Sequence, residues 1–468
     1  MNKMTVLMMM GCWIAAGAAA AVDGGGKGGA PAGAQGFQGM AVQDVREREA
    51  VIEVQTTGAE FVFDKVNNVI DCYQRIPLRR KVAAVSGIVL KELRVKARSA
   101  SECTLVTGKE GKASIVIAMD SMMSLPLAAK AAVTVAGAYK PEYIGIEEPH
   151  LLLPDEQGGI GAYLVGAGQC RLPAAWDTGW QVSYTADAPS HLLLSVFPPR
   201  PFDWKQACET MVHTFSWKNP YPSDEQLKEW STYGSILALH SWIWKSPKGE
   251  SKEPVMMDDS WAVATYVPRD EKEMVRVVET AHRLGMKVIP YMSPYYFTGG
   301  TIDDFVKAVG ECMKKYKFDG VYFDGIRERY NDIMGAYEVT RKTRQAIGNN
   351  GILYIHATIS PLKKIYCPFI DCYADYLLRG EHRNTSEDSF RWYVSSYNLG
   401  NAVGTLCYDT QRPTSEMINL IFRVNARLPV WVDDGTWNKK EYFLHKPEME
   451  LMKAEYFPKL KKEAATHK

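Results

Sequence analysis

From Ser235 onward, short apolar runs return at regular intervals, with charged, helix-patterned stretches between them. The runs are Ile236-Leu-Ala-Leu-His, Ala262-Val-Ala-Thr-Tyr, Lys287-Val-Ile-Pro-Tyr, Gly320-Val-Tyr-Phe-Asp, Ile352-Leu-Tyr-Ile-His, Tyr373-Ala-Asp-Tyr-Leu, Val403-Gly-Thr-Leu-Cys-Tyr and Pro429-Val-Trp-Val-Asp, eight in all. A parallel strand covered on both faces reads as a nearly continuous apolar run. Between the runs, Glu271–Leu284 ends at Gly285, a C-cap signal. Ile302–Lys315 follows Thr301, a good N-cap. Asp332–Ile347, Ser386–Asn398 and Ser415–Arg427 continue the alternation. After the fifth run only the short, Pro-flanked segment Pro361–Phe369 stands where a helix is due. Eight strand–helix repeats in about 200 residues match a small (β/α)8 (TIM) barrel. The rival, an open doubly wound sheet, lacks its G-x-G-x-x-G turn.

The preceding region has a different rhythm. Val51-Ile-Glu-Val-Gln, Glu60-Phe-Val-Phe-Asp, Ser114-Ile-Val-Ile-Ala, Ala132-Val-Thr-Val-Ala and His191-Leu-Leu-Leu-Ser-Val are short runs separated by Gly, Pro, Asn and Asp. Such spacing predicts an antiparallel β-sandwich. The expected class is therefore α/β: a β-sandwich over 38–200, a Pro-containing connector over 201–232, and a C-terminal (β/α)8 barrel over 233–468. Residues 23–37 read as a flexible Gly/Ala linker. Residues 1–22 read as a secretory signal, with Lys3 ahead of the apolar Thr5–Ala21 and small residues Ala18–Ala21 for cleavage. The expected location is periplasmic or extracellular. Met10-Gly11-Cys12 weakly resembles a lipobox, so lipid attachment at Cys12 is the alternative. No other segment has the length and apolarity to span a membrane.

Of the 468 residues, 46% are apolar and 23% charged, as in a core-forming globular chain. A formal net charge of +1 excludes an electrostatic footprint for nucleic acid. None of the nine Cys forms a CxxC pair, and Cys367 and Cys372 lack a His partner at zinc-finger spacing. No metal and no cofactor is expected. The oligomeric state is not written in the sequence.

A barrel of this kind builds its active site at the C-terminal ends of its strands. The first run is followed by His240, Trp242 and Trp244, the second by Tyr266, and the third by Tyr291, Ser293 and Tyr295. The fourth ends in Asp324, with Arg327 and Glu328 beyond, and the fifth in His356 and Thr358. The sixth leads through Asp375 to Arg379, Glu381 and His382. The seventh gives Tyr408 and Asp409, and the eighth Asp433, Asp434 and Trp437. Any one is ordinary for a strand end; their concentration on one rim points to a site. Asp324 is the sharpest candidate, because it closes a buried strand and Gly325 leaves room for a ligand beside it. Its plainer reading is a helix-capping Asp. Asp319, at the other end of that strand, suits a cap or turn.

The run Asp319-Gly-Val-Tyr-Phe-Asp-Gly, after Gly285-Met-Lys-Val-Ile-Pro-Tyr, resembles the barrel of retaining α-glycosidases of the α-galactosidase-like clan. The preceding sandwich is similar to the N-terminal β-domain many of them carry. The likeness spans the mature chain in architecture and about a dozen residues in motif. It implies Asp324 as nucleophile, with an Asp after strand six as acid/base. This chain departs there, since Asp375 falls inside the apparent strand and the loop offers Glu381. The stretch from Tyr373 to His382 is also similar to uncharacterised glycosidase-like barrels of exported bacterial proteins.

Independently of any family, glycosidic cleavage needs two carboxyl groups, one facing the anomeric carbon and one protonating the leaving oxygen. Asp324 and Glu381 are the expected pair, with Asp375 in reserve. Arg379 or His382 would hold one of them ionised, unless these residues form only an exposed ion cluster. Aromatics make up 11% of the chain, including twelve Trp. Trp242, Trp244, Tyr291, Tyr295 and Trp437 would stack on sugar, with His240, Arg327, His356, Arg379 and Asp433 as polar contacts. No G-x-S-x-G elbow and no H-E-x-x-H occurs. A metal site of His240 and His356 with Asp324 or Asp433 is weakened by the missing H-x-H on the first strand. The expectation is an exported glycoside hydrolase, retaining, acting on oligosaccharide or polysaccharide. Its alternatives are a substrate-assisted hexosaminidase-like enzyme using Asp433 and Asp434, and a non-catalytic carbohydrate-binding pseudo-glycosidase.

Overall fold

The computed structural model describes residues 37–108, 113–216, 219–245, 263–325, 332–357, 362, 365–381, 386–408, 413–432 and 446–467. In its N-terminal half, alternation along each strand decides which side chains are buried. Val51–Thr56 buries every second residue, as does Val69–Gln74. Chains patterned in this way pair into sheets that hide one face each. Two eight-stranded sheets result. One runs Val42–Glu47, Val51–Thr56, Ala59–Asp64, Val69–Gln74, Arg80–Ser86, Ala132–Gly137, Gln181–Ala186, Gly168–Arg171. The other runs Gly145–Glu147, His150–Asp155, Gly158–Val165, Ser190–Phe197, Met122–Leu127, Ala113–Ala118, Glu102–Thr107, Arg94–Arg98. All their pairings are antiparallel, and Ile52, Phe61, Val85, Leu105, Ile117 and Leu192 meet in the core between them.

The second half is a ring of eight parallel strands. In order they are Met211–Thr214, Ile236–Leu239, Lys287–Pro290, Gly320–Asp324, Ile352–His356, Tyr376–Arg379, Val403–Leu406 and Val430–Val432. Ladders join them in two sets of four. Parallel bridges Tyr291–Tyr322 and Thr405–Arg427 connect the sets. The (β/α)8 expectation is met, with one exchange of strands. Met211–Thr214, inside the stretch read as a connector, is the first strand, paired with Ile236–Leu239 and Val430–Val432. Of the run read as the second strand, the described residues 263–266 contribute only an isolated bridge, Val263 to Phe297. His240, Trp242 and Trp244 thus follow strand two. Strands three to eight keep their places.

The helices begin where the sequence provides a cap. Thr301 closes a reciprocal capping box with Asp304 ahead of Ile302–Tyr316, and Asp270 caps Glu271–Arg283. After strand five, among the described residues, the helix layer holds only the single turn Pro368–Asp371. The sandwich packs against this part of the barrel. Tyr163 meets Phe369 edge-on at 5.4 Å and donates its hydroxyl to the Tyr366 carbonyl (2.5 Å). Asp120 accepts from the hydroxyls of Tyr337 (2.6 Å) and Tyr373 (2.7 Å). Arg200 donates to the Ala374 carbonyl (2.8 Å).

Candidate active site

Parallel pairing keeps register partners on one face of the sheet. Asp324 pairs with His356, His356 with Leu378, and Leu378 with Thr405. Their side chains share a face, and Cys407, two residues beyond Thr405, continues it. Asp324 Oδ1 lies 3.1 Å from His356 Nδ1. Asp324 Oδ2 accepts from the Tyr291 hydroxyl at 3.0 Å. On the far side of the imidazole, Nε2 lies 3.3 Å from Glu381 Oε2. One ring therefore bridges the two carboxyl groups that the sequence singles out. Tyr322 Oη stands 3.4 Å from His356 Nδ1. Ser293 fixes the strand end by donating its hydroxyl to the Asp324 carbonyl. One nitrogen of His356, one oxygen of Glu381 and Cys407 Sγ lie within 4.8 Å of one another.

The electrostatics divide the barrel histidines into two kinds. At His356 burial opposes the charged ring, but Tyr322, the Glu381 carboxylate and the Asp324 hydrogen bond overcome it and hold the pKa well above the ordinary value. His240 is pushed down to about 3, chiefly by burial, with His356 adding repulsion and Asp324 opposing. His213, at the end of strand one, is driven well below its ordinary value by burial and by His240 and His356. Both of its ring nitrogens are buried without a hydrogen-bond partner among the described residues.

Other predicted residues stand elsewhere. Asp375 precedes strand six, at the N-terminal end of the barrel. It pairs there with buried Arg344 and accepts from the Leu353 amide (2.7 Å) and the Gln38 side chain (2.8 Å). That position takes it out of the carboxylate pair. Arg379 follows Leu378 and turns to the opposite face, where it donates to Asp371 (2.6 Å) and lies 3.5 Å over the Tyr366 ring. It braces the helix layer. Trp242, Trp244 and Tyr291 are buried to 8%, 4% and 2% exposure, so they build the wall and present no open face. Trp244 donates its indole N–H to the Tyr291 carbonyl (2.5 Å), and His240 contacts the Ser241 hydroxyl at 2.9 Å. Tyr295 is half-buried. Gly325, at φ +67°, has its open side filled by Tyr295: an added Cβ would stand 2.8 Å from that residue's Cβ. The glycine thus serves the packing of Tyr295. Tyr408 is buried and donates to the Pro429 carbonyl (2.6 Å). Arg327, Glu328, Thr358, His382, Asp409, Asp433, Asp434 and Trp437 lie outside the described residues, as do Cys12 and the signal-like segment.

Tyr322, Cys407 and His213 were missed from sequence. Period-two counting back from Asp324 and forward from Thr405 reaches the first two. His213 sits in Met211-Val-His-Thr-Phe, whose two polar residues hide its likeness to the other strands.

No protein-family model and no curated protein matches the chain. Among solved structures it is similar to the GH36 α-galactosidase AgaA of Geobacillus stearothermophilus. The identity is 10%, over 92% of this chain and 72% of that one, with a TM-score of 0.42. It is also similar to a glucosidase II α-subunit (8%, 90% and 69%, TM-score 0.42). A GH31 dextranase of Flavobacterium johnsoniae matches at 10% identity over 90% of this chain, which spans 62% of the dextranase, with a TM-score of 0.35. Likenesses this distant do not bear on the chemistry of the rim.

Proposed function

We propose that the chain is a glycoside hydrolase whose reacting groups are Asp324 and Glu381. The observation that carries the reading is their placement: two carboxyl groups at the C-terminal ends of strands four and six, joined through one imidazole. Two contact lengths and one ring cap their separation at roughly 9 Å, a bound that covers both the retaining and the inverting spacing. Asp324, held by Tyr291 and His356, attacks the anomeric carbon or stabilises the positive charge that develops there. His356 and Glu381 share a proton, and Glu381 passes it to the departing oxygen. The retaining mode places the carboxyl groups at about 5–5.5 Å, so it would need Asp324 and Glu381 to close on each other with the His356 ring out of the line between them. The signal-like segment 1–22 supports export. The test is a panel of aryl glycosides differing in sugar and anomer, with proton NMR of the first product formed. Hydrolysis with retained configuration is expected. Inverted product removes the covalent step, and no turnover of any glycoside, aryl or oligomeric, removes the reading.

A further inference from the structure

We infer that His356, Glu381 and Cys407 form a zinc-binding site. They stand at or just beyond the ends of three successive strands, five, six and seven, and supply an imidazole nitrogen, a carboxylate oxygen and a thiol sulfur within 4.8 Å of one another. Zinc takes N, O and S donors at about 2.0–2.3 Å in a tetrahedron, which sets roughly 3.3–3.8 Å between ligand atoms. His356 Nε2 and Glu381 Oε2, at 3.3 Å, already span such an edge. The other nitrogen, Nδ1, faces Asp324 Oδ1 at 3.1 Å. A carboxylate behind a ligating histidine fixes its tautomer and turns the Nε2 lone pair toward the metal. Cys407 is 2% exposed, while the His356 and Glu381 side chains are 12% and 18% exposed. The sulfur thus forms the floor of the site and the other donors its mouth. Zinc displaces the thiol proton, and one thiolate with one carboxylate balances its two charges. The soft sulfur selects zinc over magnesium and calcium. The fourth position is left to water.

The inference stands apart from the hydrolase reading and adds a consequence to it. A bound zinc ion takes Glu381 out of proton donation, so zinc and catalysis compete for the same residues. The experiment is a titration of the purified full chain with Co²⁺, followed by competition with Zn²⁺. We expect one equivalent bound, a near-ultraviolet sulfur-to-cobalt charge-transfer band, and displacement by zinc. Cys407→Ser should lose the band, and Cys312→Ser should keep it. Asp324→Asn should keep the band and bind about 10–100-fold more weakly. Glu381→Gln, on a partly exposed side chain, should weaken binding at least about 10-fold and decides the matter if Cys407→Ser does not fold. Absence of stoichiometric binding, a band that survives Cys407→Ser, or unchanged affinity in Glu381→Gln would overturn the inference. None of these readouts uses sugar, so failure here leaves the hydrolase reading to its own test.

Discussion

Strand four carries an aspartate at each end, and each meets a histidine. At the N-terminal end Asp319 accepts from the Val288 amide (2.7 Å) and from His282 Nε2 (2.8 Å). At the C-terminal end Asp324 meets Tyr291 (3.0 Å) and His356 (3.1 Å). The residue types match and the surroundings do not. Asp319 and its histidine are about one-third exposed, and a main-chain amide anchors the carboxylate. Asp324 and His356 are more deeply buried, and the carboxylate meets a phenol and an imidazole, groups that themselves carry protons. Strand six repeats the contrast. Asp375 below is tied to Arg344 and a backbone amide, whereas Glu381 above faces the imidazole. A carboxylate held by amides and guanidinium is fixed in place. One held by a phenol and an imidazole sits beside groups able to pass protons.

The contrast can be broken in order of expected effect. Asp324→Asn should cost on the order of 10⁴-fold in kcat for glycoside hydrolysis while the urea midpoint moves little. Retained turnover would place Asp324 in the same class as Asp319. Glu381→Gln should cost about 10²–10⁴-fold on substrates with poor leaving groups and far less on activated aryl glycosides. An equal loss on both would deny it the acid's role. Asp375→Ala leaves the Arg344 charge buried without its partner and should destabilise the fold by about 3–5 kcal/mol, read from urea unfolding. The protein that stays folded should turn over at the parent rate.

The pH profile tests the histidines. His240 stays neutral in the fold down to about 3, against 6.5 for the free ring, so the unfolded chain takes up the proton first. Its contribution to stability is therefore lost as pH falls below about 6.5, at about 1.4 kcal/mol per pH unit once that proton is fully bound in the unfolded chain, until the ring titrates. His240→Phe should flatten that limb. His356 has the opposite sign: its contribution is full below the unfolded value and fades as pH rises through its raised pKa. Smallest of all, His282→Ala should change stability by no more than about 1 kcal/mol, since its ion pair is partly solvated.

Much of this was legible in the sequence, because local pattern and barrel position coincide. Ile352–His356 is apolar until its last residue, and that residue lies on the rim. Strand one escaped notice because His213 and Thr214 make half of its four residues polar, while Ala262–Tyr266 has the look of a strand in sequence and its described residues 263–266 pair only through the bridge from Val263 to Phe297. Asp375 was misplaced by one structural step. The strand begins at Tyr376, so a residue read as lying within it falls before it. The meeting of Asp324, His356, Glu381 and Cys407 joins residues far apart in the chain. It arises from the side-by-side packing of four strands, which no window of sequence contains.

The packing of the sandwich against the segment after strand five has a consequence for how the molecule holds together. Phe369, Tyr373 and the Asp120 carboxylate lose their cover or their partners if the halves separate, so neither half is complete alone. The sandwich leaves the ribosome first. The barrel then has a surface to close against, and the two halves should melt in a single cooperative transition, read as one calorimetric peak.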